Sequence, residues 1–147
     1  MSRFLRRRML IVVGAAAVSL ALGGCGDGDG DTAAAVTGVG GAQVPATQVI
    51  AAVEGVCQAS AETHADPQRA RAIFLDEAHD RLHDLAFALE HADRVAAARL
   101  LAAKQRVEQA LEDPATPSKL RADLDNLVAT AAAALDTLGI DPPPCTR

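Results

Sequence analysis

The stretch 74-FLDEAHDRLHDLAFALEHA-92 decides the fold class of this chain. Its apolar residues recur at alternating steps of three and four; they are Leu75, Ala78, Leu82, Leu85, Leu89 and Ala92. A repeat of about 3.5 residues is typical of helices that pack nearly parallel or antiparallel to each other. We therefore predict an amphipathic helix here, with one apolar seam that contacts neighbouring helices.

Three other segments have the same helical spacing of apolar residues. The stripe of the first segment, from about 46 to 61, is Val49, Val53, Val56 and Cys57. The segment after the quoted stretch carries Ala96, Leu100, Ala103, Val107 and Ala110. The last segment carries Leu120, Leu124, Leu127, Ala131, Ala134 and Leu138. Together the segments predict an all-α fold, an up-down four-helix bundle.

Helix start and stop signals support these segments. Asp66-Pro67 and Thr116-Pro117 each combine a capping side chain with a first-turn proline, and Gly139 is placed to end the last helix. The joint near Asp93 leaves two alternatives, a new helix capped by Asp93 or one long rod without a break. Because a Cys57–Cys145 disulfide would join the first helix to the tail, we favour the compact bundle.

The N-terminus has the features of an export signal. Arg3, Arg6, Arg7 and Arg8 precede an uncharged apolar stretch over 9–22. That stretch is shorter than the ~20 residues that span a bilayer as a helix, but its length suits a signal peptide.

The apolar stretch ends in Leu22-Gly23-Gly24-Cys25, which resembles the lipobox of bacterial lipoproteins. The resemblance implies cleavage after Gly24, so that 1–24 is a signal peptide, and attachment of lipid with fatty acyl chains such as palmitate to Cys25. It also implies anchoring at the extracytoplasmic face of the cell membrane. The alternatives are an ordinary signal peptide cut elsewhere and an uncleaved anchor. Arg6-Arg7 resembles the twin-arginine export signal, although the general export pathway also accepts such a basic start.

Residues 25–43 are predicted to form the lipidated cysteine and a flexible tether, ahead of a helical domain over 44–147. The segment is rich in glycine and shows no periodicity. Asp27, Asp29 and Asp31 alternate as in a calcium-binding loop, but Thr32 and Gly38 occupy the places of its glycine and its last glutamate. We therefore interpret the segment as a spacer.

Composition narrows the possible partners and cofactors. Cleavage after Gly24 removes four of the 14 basic residues and none of the 19 acidic ones, which leaves a formal charge near −9. Such a charge argues against nucleic acid as a partner and against electrostatic attraction to anionic lipid. The chain has no Trp or Tyr, which disfavours sugar, nucleotide and haem pockets. With Cys25 lipidated, Cys57 and Cys145 are expected to form a disulfide outside the cytoplasm; two separate buried thiols are the alternative.

One polar cluster is compatible with metal binding. His79 and His83 are four residues apart on the same helix face, and Glu90 projects between their directions. Two imidazoles and a carboxylate are ligands for Zn or Cu. The alternative is a partly exposed flank on which the imidazoles pair with Asp76, Asp80 or Asp84.

These observations favour a lipid-anchored, non-enzymatic interaction or accessory domain that acts on an unidentified envelope protein and needs no cofactor. The alternative is an extracytoplasmic transition-metal-binding protein that uses His79 and His83. No catalytic constellation is evident in the sequence.

Overall fold

A computed structural model of the chain describes residues 34–38, 41–112 and 117–145. The predicted signal peptide, the lipobox with Cys25, the N-terminal part of the tether and the Thr116 cap lie outside these residues. The described part of the chain belongs to one compact unit.

The predicted all-α bundle is confirmed. In the part of the chain that the structure describes, five α-helices and one π-helical turn follow two short strands. They are α1 (Ala46–Glu62), α2 (Pro67–Ile73), the π turn (Phe74–Ala78), α3 (His79–Ala92), α4 (Arg94–Glu112) and α5 (Pro117–Thr137). Because α2, the π turn and α3 follow each other without a gap, they form one interrupted helix, and the bundle has four long helical members. No helix in the described ranges is long and apolar enough to cross a membrane.

The ends of the helices agree with the signals in the sequence. The Asp66 carboxylate accepts hydrogen bonds from the backbone N–H groups of Gln68 and Arg69, both at 3.0 Å. Asp93 separates α3 from α4 and accepts from the N–H groups of Val95 and Ala96, both at 2.9 Å. One helix therefore ends before Asp93 and a new helix begins after it, so the alternative of one continuous helix is wrong.

The C-terminal end of α5 has the hydrogen bonds of a Schellman motif. Gly139 has φ +72°, and the N–H of Ile140 donates to the carbonyl of Leu135 at 3.0 Å. Glycine adopts this left-handed conformation without the steric cost that a side chain adds. Gly139 therefore ends α5 and turns the tail back toward α1.

The core contains most of the predicted seam residues, with one shift of register. Leu82, Leu85 and Leu89 are fully buried, whereas Leu75 is 42% exposed and Phe74 takes its place in the core. The π turn over Phe74–Ala78 causes the shift, because an i→i+5 turn inserts about one extra residue and rotates the preceding helix face. The predicted positions of Leu75 and Ala92 in the core are wrong, since both are exposed. Ala96 is partly buried and packs against the core, in which its neighbour Ala97 is buried.

The end of the predicted tether is folded. Strands β1 (Ala35–Thr37) and β2 (Gln43–Pro45) pair antiparallel, with Val36 opposite Val44. Val44 is 7% exposed within the core, and an added Cβ at Gly38 would lie 2.5 Å from the ring of Phe87 on α3. The predicted tether over 25–43 is therefore too long, because its residues from about 34 onward belong to the folded domain. Valine and small residues alternate in the hairpin, which lets it pack on the bundle.

Candidate functional site

His79, the first residue of α3, is held between two carboxylates. Its Nδ1 lies 2.8 Å from Oδ1 of Asp80, and its Nε2 lies 2.8 Å from Oε1 of Glu108 on α4. Each of these nitrogens donates to its carboxylate when it carries a hydrogen atom. Phe74, which is buried in the π turn, packs against this imidazole edge-on, with ring centroids 6.3 Å apart.

A buried lysine completes this cluster. The side chain of Lys104 is 3% exposed, and its Nζ donates to the same Oε1 of Glu108 at 2.5 Å. Glu108 is 32% exposed, so the carboxylate lies between the buried ammonium and the solvent. Lys104, Glu108, His79 and Asp80 therefore form a connected chain of polar side chains between α3 and α4, which we call the α3–α4 charge cluster.

The charges of the cluster shift the pKa values of its two carboxyl groups. Partial burial raises the pKa of Glu108, but the hydrogen bond and charge of Lys104, together with those of His79, outweigh it and hold the pKa below the usual 4.5. The pKa of Asp80 is also lowered, first by its hydrogen bond from His79 and then by the nearby positive charge. Both carboxyl groups are therefore stabilised as anions.

The structure brings together only part of the predicted metal set. The rings of His79 and His83 lie 5.5 Å apart, edge to face. Glu90 is exposed and lies about 10 Å further along α3 from His83, at ~1.5 Å per residue. In the described ranges no three His, Cys, Asp or Glu side chains are grouped so that they could hold an ion. Glu90 is thus not brought to the histidines, and Glu108 is the carboxylate that reaches His79.

The predicted disulfide joins Cys57 of α1 to Cys145 in the tail, with Cα atoms 5.3 Å apart and a sequence separation of 88. The bridge borders a cavity of about 290 Å³ between α1 and α5. In the cavity wall the Ser60 hydroxyl donates to Oδ1 of Asp125 at 2.6 Å. Arg121 Nε lies 3.6 Å from Oδ2 of the same carboxylate. The tail is therefore fixed beside a small cleft with both polar and apolar walls.

Sequence reasoning missed Lys104, Glu108 and the Ser60–Asp125 bond. Lys104 and Glu108 are four residues apart on α4, a spacing that also fits an ordinary surface pair. The one available signal was the position of Lys104 next to Ala103 at the edge of the predicted apolar stripe. No protein-family model, curated protein or solved structure matches the chain. The function is therefore inferred from the sequence and structure of this chain alone.

Proposed function

We propose that this protein is an exported lipoprotein whose helical domain is a non-enzymatic interaction or accessory module, held by lipid on Cys25 at the extracytoplasmic face of the cell membrane. The single observation that carries the proposal is the Cys57–Cys145 disulfide in the domain that follows the lipobox-like Leu22-Gly23-Gly24-Cys25. Disulfides persist in oxidising compartments and are rare in the cytosol. The bridge and the lipobox-like signal therefore point to the same side of the membrane.

The disulfide is also expected to add stability to an alanine-rich bundle. The α4 and α5 helices contribute many buried alanines, which bury less apolar area than larger residues. Closing a loop of this length removes unfolded-state entropy equivalent to roughly 4–5 kcal/mol in the chain-entropy model. A domain cross-linked by a disulfide in this way is suited to a compartment where thiols are kept oxidised.

The length of the chain between Cys25 and the domain limits how far from the membrane the domain can reach. Eight residues lie between Cys25 and Ala34, where the described domain begins. A chain of this length spans at most about 30 Å. A partner of this module would therefore be in the membrane or close to its surface.

The proposal is tested by metabolic labelling with an alkyne fatty acid in a bacterial host. We expect label on the wild type and on a Cys57→Ala/Cys145→Ala control. We expect none on Cys25→Ala, which should also keep its signal peptide, because lipid attachment precedes cleavage in lipoproteins of this kind. Label on Cys25→Ala, together with cleavage at the same bond, would contradict the proposal.

A second candidate function is transition-metal binding, favoured by the 5.5 Å approach of the His79 and His83 rings. Zinc titration of the chain from residue 26 onward tests it, with His79→Ala/His83→Ala as the comparison. Micromolar binding that the double variant abolishes would support metal binding. Equal zinc affinity of the wild type and the double variant would refute metal binding by these histidines.

A further inference from the structure

The outer face of α4 carries a basic stripe on a domain that is otherwise acidic. Val95, Arg99, Ala102 and Arg106 follow each other at steps of four, three and four, so they lie along one side of the helix. All four are exposed, and Val95 is the most exposed large apolar residue in the described ranges, at 59%. We call these four residues the α4 stripe.

The arginines of the stripe have no ion-pair partner in the part of the chain that the structure describes. Most of the other basic side chains there are paired with carboxylates; those pairs are Arg69–Glu62, Arg81–Glu77, Lys104–Glu108, Lys119–Asp123 and Arg121–Asp125. With the described residues Arg99 and Arg106 make no such pair, and neither does Arg94 at the start of the helix. The guanidinium groups of the stripe are therefore available to an external anion.

Within the described ranges, the acidic residues that lie on α4 or next to it are directed away from the stripe or engaged. Glu108 and Glu112 lie on the flank of α4 that borders a cavity with His79, on the other side of the helix. The carboxylate of Asp93 caps the N-terminus of α4 by accepting two backbone N–H groups. The stripe therefore keeps its positive potential locally.

We propose that the α4 stripe docks on the anionic phospholipid headgroups of the membrane that holds the protein, a proposal that rests on the lipid anchor proposed above. Arginine is suited to this contact because its planar guanidinium binds phosphate oxygens in a bidentate manner. Val95, at one end of the stripe, supplies an apolar side chain that enters the headgroup region. The docked bundle lies with α4 against the bilayer and with the α1 side turned away.

The net negative charge of the domain does not prevent this contact. Charges in salt solution are screened over about 8 Å at physiological ionic strength, which is less than the ~10 Å diameter of one helix. Acidic groups on the far side of the bundle therefore contribute little to the potential at the stripe. Composition alone predicts no electrostatic attraction to lipid, and the proposed contact differs from that expectation because it depends on the local charge of the stripe.

The anchor makes even a weak attraction effective. A domain held by a short tether has an effective concentration at the membrane in the millimolar range. Each arginine near an anionic surface contributes roughly a fivefold gain in binding, equivalent to about 1 kcal/mol. A few such contacts are sufficient to orient the anchored domain.

The test measures binding of the chain from residue 26 onward to lipid vesicles by co-sedimentation. This chain keeps the whole core cluster, whose members lie between Val36 and Ile140, and it has no lipid or signal peptide. We expect binding to vesicles of phosphatidylglycerol and phosphatidylcholine in equal parts, little binding to phosphatidylcholine alone, and a loss of binding as salt is raised. Arg99→Gln/Arg106→Gln should lower the partition coefficient about 25-fold, as two fivefold effects combine.

The matched control is Arg69→Gln/Arg81→Gln, which changes the net charge equally but lies outside the stripe. Circular dichroism checks that each variant is folded. Three results would overturn the proposal. They are an equal loss of vesicle binding in both double variants, equal binding to vesicles with and without phosphatidylglycerol, and a chain that binds an acidic protein but does not bind vesicles. Because this chain lacks Cys25, such a failure is distinct from a failure of lipidation.

Discussion

Gly55 of α1 lies directly against the backbone of Glu77 in the π turn, where an added Cβ would be 3.0 Å from both the carbonyl carbon and the carbonyl oxygen of Glu77. Glycine is otherwise unfavourable inside a helix by roughly 0.5–1 kcal/mol relative to alanine. Its presence at this position allows α1 to approach the widened π turn closely. This approach fixes the start of α3, and with it the position of His79.

The first prediction concerns this contact. Gly55→Val should destabilise the fold by about 1–3 kcal/mol, because the branched side chain overpacks against backbone atoms that cannot move independently. Urea unfolding followed by circular dichroism measures the change. Gln58→Val, at an exposed position of the same helix, is the control and should change the free energy of unfolding by about 0.5 kcal/mol or less. Equal effects of both variants would rule out a close contact at Gly55.

The second prediction concerns the buried ammonium of Lys104. Glu108→Gln should cost about 2–3 kcal/mol, below the 3–5 kcal/mol of a fully buried pair because Glu108 is partly exposed. Lys104→Met should cost less, since it removes the buried charge together with its need for a partner. Adding Lys104→Met to Glu108→Gln should therefore recover stability, as measured by a double-mutant cycle in urea. Strictly additive costs would show that the two side chains are not coupled.

The third prediction is a dependence of stability on acid. The pKa of Glu108 is lower in the folded protein than its usual 4.5, so the folded state favours the anion. Its contribution to stability is fully present above about pH 4.5 and is lost as the pH falls through the lower folded value. Unfolding midpoints measured between neutral and acidic pH should fall less steeply for Glu108→Gln than for the wild type. Glu90→Gln, an exposed position, should behave like the wild type; the opposite ranking would contradict the cluster.

The fourth prediction concerns the disulfide. Reduction, or the Cys57→Ser/Cys145→Ser double substitution, should lower the free energy of unfolding by up to about 4–5 kcal/mol, as the chain-entropy model gives for a long loop. The wild type should migrate faster on a non-reducing gel than on a reducing one, and the double variant should show no such difference. Free thiols at both positions in oxidised protein would be inconsistent with the bridge.

The fifth prediction concerns the hairpin of β1 and β2. Phe87→Ala should speed hydrogen exchange over residues 35–45, since the ring covers Gly38 and helps to hold the hairpin on α3. The amide of Ala46, which donates to the carbonyl of Ala34 at 2.7 Å, reports on this docking. Leu75→Ala removes another exposed apolar side chain and should leave these amides protected. Unchanged exchange in Phe87→Ala would mean that the hairpin is held by other contacts.

The sequence was sufficient to predict the helices where independent signals agreed at a boundary. Asp66 and Gly139 each combine capping chemistry with the end of an apolar repeat, and each lies at a helix end in the structure. At Asp93 the sequence left a continuous helix as an alternative, and the structure shows the break. The π turn was not predictable in this way. Phe74 and Leu75 are adjacent and both apolar, and only the packing of α1 decides which of them enters the core.

The candidate site was harder to predict from the sequence than the fold was. His79 and His83 were recognisable because their spacing lies within one helix. The contact from His79 to Glu108 joins two helices, so it depends on how the two helices are positioned along each other. The burial of Lys104 has the same origin, because a lysine beside an apolar stripe is exposed or covered according to what its neighbours place over it.

The most direct test of the central claim is the intact mass of the protein extracted from the membrane of the host that makes it. We expect one species that begins at Cys25, carries a diacylglyceryl group with or without a further acyl chain on its amine, and lacks the two hydrogens lost in the Cys57–Cys145 bridge. A species without lipid that begins at another residue would contradict the account.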